Sequence, residues 1–256
     1  MQRSLRQIIG YSIGAVDGDI GRVSDFLFDD HTWTIRYLVA GTGKWLPGRK
    51  VLISPAGLRS ADWLNSVLHV NRTRREIEES PPIEADKPVS RRKQEELSEY
   101  FAWPVYWAAA SPAAGPGAAI PQPPVQRSSQ EDQSAEGDPH LRSAREVTGY
   151  HVLTTDGEMG HIEDFIVDDE TWTVRYLVVD TVSWWPGKKV ILAPAWITGI
   201  HWDTKQVRFE LSGAALKGAP EYDPSKPINR EYEMVLYDYY GRPHYWETPE
   251  SMACEP

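Results

Sequence analysis

The chain is written twice. Gly10-Tyr11 through Trp107 reappears as Gly149-Tyr150 through Trp246 at a constant offset of 139 positions, with no insertion or deletion. The same offset carries Trp33 to Trp172, Trp63 to Trp202 and Pro104 to Pro243. A gapless repeat of this length means two copies of one folding unit rather than one domain with a divided core. Each copy is near the size at which burial alone is marginal, and the 11 Trp of the chain help offset that deficit because large rings bury much apolar area.

Within each copy the hydrophobic period is two. Trp33 to Val39 and Trp172 to Val178 read as strands rich in β-branched and aromatic residues. Asp17-Gly18 and Asp156-Gly157 lie between apolar runs, where the pair supplies the positive φ of a tight hairpin. Asp29-Asp30 and Asp168-Asp169 mark the next turn. Short strands follow at Lys50 to Ile53 and Lys189 to Leu192, ended by Pro55 and Pro194, and a last strand runs from Ser66 to Val70 and from Lys205 to Phe209. Many short strands with turn chemistry between them predict an all-β fold, a small barrel or sandwich in each copy. Ser90 and Asn229 then read as N-caps of a helix of about two turns, which stops before Pro104 or Pro243 and leads into Pro-x-Tyr-Trp. So short a helix is marginal alone and is expected to dock on its own barrel.

These patterns place barrel 1 with its helical extension at residues 5–107, a flexible linker at 108–145 and barrel 2 with its extension at 146–248. Ala, Pro, Gly, Ser and Gln dominate the linker, with no sustained apolar period.

The formal net charge is −10, with +1 in residues 1–107 and −11 in the remainder. An acidic chain has no general attraction for phosphate backbones, so a nucleic-acid partner is not expected. The basic groups Arg72/Arg74/Arg75 and Arg91/Arg92/Lys93 are followed by Glu and read as a solvated charged face. One cysteine, Cys254, excludes a disulfide framework and Cys-based zinc clusters. No apolar run approaches the roughly 20 residues of a spanning helix, and the N-terminus lacks a signal-peptide core, which predicts a cytoplasmic protein.

The repeat resembles the PRC-barrel family. The residues that carry the resemblance are Gly18 to Asp30, Trp33 to Val39 and Gly48 to Pro55, repeated as Gly157 to Asp169, Trp172 to Val178 and Gly187 to Pro194. The shared pattern is Gly-x-x-Gly, a two-carboxylate turn, Arg-Tyr-Leu-Val and a Gly-basic-Lys-Val strand. The family includes the cytoplasmic domain of the photosynthetic reaction-centre H subunit and the C-terminal domain of a ribosome-maturation factor, and the Pro-Tyr-Trp extensions resemble those of bacterial proteins with two such barrels. The resemblance implies two tandem PRC-type β-barrels, each with a short C-terminal helix and aromatic tail, used for docking onto other proteins without intrinsic catalysis. The chain lacks the membrane helix of the H subunit and the RNA-contacting domain of the maturation factor.

The carboxylates Asp25, Asp29 and Asp30, with Asp164, Asp168 and Asp169, are the residues in which metal or acid–base chemistry would reside, against a plainer role in capping strands and forming Asx turns. The seven histidines do not match between copies and show no metal-ligand spacing, so no metal site, cofactor or catalytic residue is assigned. Loop aromatics Trp45, Trp184 and Trp185 are the first candidates for partner binding, with Tyr106, Trp107, Tyr245 and Trp246 next. Trp33, Trp172, Trp63 and Trp202 are assigned to the core, and Arg36/Arg175 with Tyr37/Tyr176 to a surface ion pair and core. The expected function is non-enzymatic protein–protein docking, and the two barrels are free to pair within the chain or to form a homodimer. The alternatives are an accessory subunit peripheral to a photosynthetic or other membrane electron-transfer complex and a metal-dependent hydrolase using the Asp turns.

Overall fold

The computed structural model describes residues 1–43, 46–47, 49–84, 88–107, 138–181 and 188–247. The chain opens with β1 (Gln2–Ser4) and one helical turn, α1 (Leu5–Ile8), followed by β2 (Ser12–Ala15), β3 (Gly18–Asp29), β4 (Thr34–Gly41), β5 (Arg49–Ile53), β6 (Leu58–Asp62), β7 (Val67–Val70), α2 (Arg74–Glu78), β8 (Ile83–Glu84), α3 (Arg91–Phe101) and β9 (Leu141–Ser143). The second copy repeats this with α4 (Ala144–Val147), β10 (His151–Thr154), β11 (Gly157–Asp168), β12 (Val174–Asp180), β13 (Lys189–Leu192), β14 (Ile197–His201), β15 (Gln206–Phe209), α5 (Gly213–Gly218) and α6 (Arg230–Tyr240). The fold is mostly β, in two barrel-like sheets of the same strand order: β6-β7-β2-β3-β4-β5-β8 in one and β14-β15-β10-β11-β12-β13 in the other. Neither path of described strands closes into a ring.

The two compact units are not the two sequence copies. One is Ile8–Ser143; the other joins Met1–Gln7 to Ala144–Pro256. The reason lies in the length of β3 and β11. Each has 12 residues, but β2 and β10 have only 4 and cover one half of one edge. The other half would leave a row of unpaired backbone groups. In unit Ile8–Ser143 that edge is taken by β9, with Leu141, Arg142 and Ser143 opposite Asp29, Phe28 and Leu27. In the other unit it is taken by β1, with Gln2, Arg3 and Ser4 opposite Asp168, Val167 and Ile166. The two registers are identical under the offset of 139, so each copy's leading strand completes the unit built from the other copy. Residues 138–143, at the end of the stretch read as linker, therefore belong to a sheet; residues 108–137 lie outside the described residues.

Gly18 and Gly157 take the positive φ expected of the hairpin turn. Gly21 and Gly160 have a second reason to be glycine: a Cβ there would stand 2.3 Å from the Gly41 carbonyl oxygen and 2.1 Å from that of Asp180. The long strand can cross its neighbour that closely only without a side chain.

Several expectations shift. Ser90 and Asn229 do cap their helices, accepting from the Lys93 and Tyr232 amides. The helices are longer than two turns, 11 residues each, because nothing before Pro104 or Pro243 stops them until Ala102 and Gly241 adopt the left-handed conformation. Trp33 and Trp172 are not strand residues: with φ of 52° and 57° they close the turn, each amide donating to the carbonyl of Asp29 or Asp168. Of the four Trp assigned to the core only Trp172 is buried. Trp63 and Trp202 sit half-buried at a hairpin tip, against Tyr11 and Tyr150. The cores are instead built on Phe26, Phe28, Ile35 and Leu68 in one unit and Tyr150, Phe165, Tyr176 and Phe209 in the other.

Candidate functional site

Two features recur in both units. The first is the carboxylate turn. Asp29 accepts from the amides of His31 and Thr32 at 3.0 and 2.8 Å, and Asp168 accepts from those of Glu170 and Thr171 at 3.0 Å each. These are Asx turns, in which a short carboxylate satisfies amides the strand has left open. Their neighbours hold the exchanged strand. Ser143 Oγ donates to Asp25 at 2.6 Å and Arg142 Nε to Asp30 at 3.1 Å. In the other unit Ser4 Oγ donates to Asp164, and Arg3 Nε to Asp169 at 2.6 Å. Asp25 and Asp164 follow a bulge, since β3 and β11 carry an extra residue at Ser24 and Glu163. The bulge breaks the period of two and re-aims the carboxylate at the incoming hydroxyl. Burial outweighs the hydrogen bonds at Asp164 and holds its carboxyl above the usual range. The six carboxylates thus act as acceptors for turns and for a strand.

The second feature is the aromatic extension. A second bulge places Arg36 opposite no partner between Tyr37 and Ile35, and Arg175 likewise between Tyr176 and Val174. The freed guanidinium of Arg36 lies 3.9 Å over the Tyr106 ring, and that of Arg175 lies 4.6 Å over Tyr245. From the helix, Arg91 lies 4.5 Å over Trp107 and Arg230 lies 4.0 Å over Trp246. Such contacts are worth about 0.5–2 kcal/mol each, depending on desolvation.

Beneath the rings is a buried polar pair that the copies solve differently. In unit Ile8–Ser143, Gln94 is fully buried; it accepts from the Tyr106 hydroxyl at 2.6 Å and donates to Asp138 at 2.8 Å, and Asp138 pairs with Arg91 at 2.9 Å. In the other unit Glu233 stands at the equivalent position, 2% exposed. It accepts from Tyr176 and Tyr245 at 2.7 and 2.9 Å and pairs with Arg230 at 2.9 Å. The negative charge that pairs with the helix arginine comes from Asp138 in one unit and from Glu233 of the helix itself in the other. Burial raises the phenols of Tyr106, Tyr176 and Tyr245, with Glu233 adding to the last two, so all three remain hydrogen-bond donors.

Of the residues predicted to bind a partner, Tyr106, Trp107, Tyr245 and Trp246 are thus held against arginines and the helix of their own units, with only part of each ring facing solvent. Trp45, Trp184 and Trp185 lie outside the described residues. Arg91, read as part of a solvated face, is mostly enclosed, and Arg36 pairs with Asp29 at 3.8 Å.

Residues 1–76 match the family model described as PRC-barrel domain. Over that stretch the chain is similar to a PRC-barrel domain. The match takes in β1 through the start of α2, so the PRC-barrel sequence is shared between units in the fold: its first seven residues complete the sheet of the second copy. No curated protein matches the chain. Among the described residues no helix is long and apolar enough to cross a membrane.

Proposed function

We propose that the chain is a non-enzymatic adaptor of the cytoplasm that docks a protein partner, and that the outer face of α6 is its principal contact. A PRC-barrel domain supports an interaction role in general. What supports this face is an asymmetry between the repeats. Met234, Val235 and Tyr239 are 44%, 56% and 42% exposed on α6, whereas the matching positions of α3 are Glu95, Glu96 and Tyr100. Leu236 and Tyr237 bury the opposite side. Scattered exposed apolar residues need no explanation, but Met234 and Val235 on one helix face, replaced by Glu95 and Glu96 in the other copy beside the shared Tyr100, fit a surface kept for a partner.

The test is affinity capture with the tagged chain and with the Met234→Glu/Val235→Glu variant, from soluble and membrane fractions of the native cell. Both side chains are exposed, so stability should change by no more than about 0.5 kcal/mol per site. A stoichiometric partner bound by the parent and lost by the variant is expected. A partner that the folded variant retains would remove this face from the proposal, and recovery from the membrane fraction would favour an accessory role at a membrane complex.

A further inference from the structure

The exchange of β9 brings together three residues that no sequence spacing connects. Leu141 pairs with Asp29, so His140, just before the strand, arrives beside Asp30 and His31 in the turn. The Asp30 amide donates to the His140 carbonyl at 2.9 Å, and the His140 amide to Asp138 at 3.0 Å, which fixes the approach from both sides. His140 Nδ1 is 3.1 Å and His31 Nε2 3.9 Å from the same oxygen of Asp30, Oδ1. The other oxygen takes Arg142 Nε at 3.1 Å, which leaves Oδ1 turned to the imidazoles. The imidazole centroids are 3.8 Å apart, and one ligand atom from each residue lies within 4.8 Å of the others.

We infer that Asp30, His31 and His140 form a binding site for a late first-row divalent cation, of which Zn²⁺ is the best fit. Two imidazole nitrogens and one carboxylate oxygen suit Zn²⁺, Cu²⁺ or Ni²⁺, whereas Ca²⁺ and Mg²⁺ call for a shell of oxygens. Zinc bonds of about 2.0–2.1 Å in tetrahedral geometry set ligand atoms roughly 3.3 Å apart. The two distances to Asp30 lie on either side of that value. The remaining gap closes by rotation of His31, whose side chain is 57% exposed and meets little resistance. Three protein ligands would leave the fourth tetrahedral position to water. The ion would hold the last residue before β9 to the turn that ends β3, fastening the exchanged strand. The second copy provides a natural control: the matching residues are Asp169, Glu170 and Met1, with no imidazole among them.

The experiment is calorimetric titration of the full chain with Zn²⁺ near neutral pH, repeated for His31→Ala, His140→Ala and the control His201→Ala, with circular dichroism to verify folding. One equivalent is expected, weakened at least tenfold by either of the first two substitutions and unchanged by the third. Hydrogen exchange adds a second readout: Zn²⁺ should slow exchange in residues 140–143 of the parent and not of His31→Ala, which keeps its fold because the ring is exposed. Absence of binding up to millimolar Zn²⁺, or binding that survives both His31→Ala and His140→Ala, would overturn the inference, leaving the cluster as hydrogen bonds and a ring contact alone.

Discussion

Replacing Ser4 by Ala removes a hydroxyl that donates to Asp164 and accepts from the Gln7 amide at 3.1 Å. Its counterpart Ser143 donates to Asp25. A hydrogen bond to a charged acceptor contributes about 1.5–3 kcal/mol, and discounting for the half-buried setting of both carboxylates leaves about 1–2 kcal/mol. Because the leading strands are exchanged, the effects should cross. Ser4→Ala, near the N-terminus, should loosen β1 against β11 in the unit that contains residues 144–247. Ser143→Ala should loosen β9 against β3 in unit Ile8–Ser143. At about 1.4 kcal/mol per factor of ten, amide exchange should speed up roughly 5- to 30-fold in 164–168 for the first variant and in 25–29 for the second. Hydrogen exchange read by mass spectrometry resolves the two segments. Loosening of 25–29 by Ser4→Ala, with 164–168 unchanged, would mean that each copy keeps its own first strand and would refute the exchange.

Two further outcomes are expected. Gly160→Ala should cost at least about 2 kcal/mol in a denaturant melt, since its Cβ would stand 2.1 Å from the Asp180 carbonyl at a φ of 134°; a variant within 0.5 kcal/mol of the parent would show that β11 and β12 can move apart there. Asp164 binds its proton more tightly folded than unfolded, because burial raises its carboxyl. Its contribution is therefore fully present below the ordinary value of about 3.9 and is lost as pH rises through the raised folded value. Measured against Asp164→Asn by urea unfolding from pH 3.5 to 7, the parent should lose stability relative to the variant as pH rises, and a trend of the opposite sign would contradict the assignment.

What the sequence alone determined is the content of each unit. The offset of 139, the Asp-Gly hairpins and the helix caps follow from local chemistry, such as a positive φ or an orphaned amide, and each is legible at its own position. The Asx role of Asp29 and Asp168 was legible for the same reason. Positions that depend on a bulge were not: Asp25 and Arg36 fall where an extra residue breaks the period of two, so alternation alone misplaces them. The grouping of His140 with His31 was invisible, because 109 positions separate them and neither is repeated in the other copy. Above all, only the tertiary structure decided which leading strand completes which sheet. Gln2–Ser4 and Leu141–Ser143 meet long strands with the same turn carboxylates in the same register, so the exchanged and unexchanged pairings offer nearly the same local hydrogen bonds. With local hydrogen bonding that alike, neither segment by itself names its partner, and the pairing is seen only in the assembled sheets.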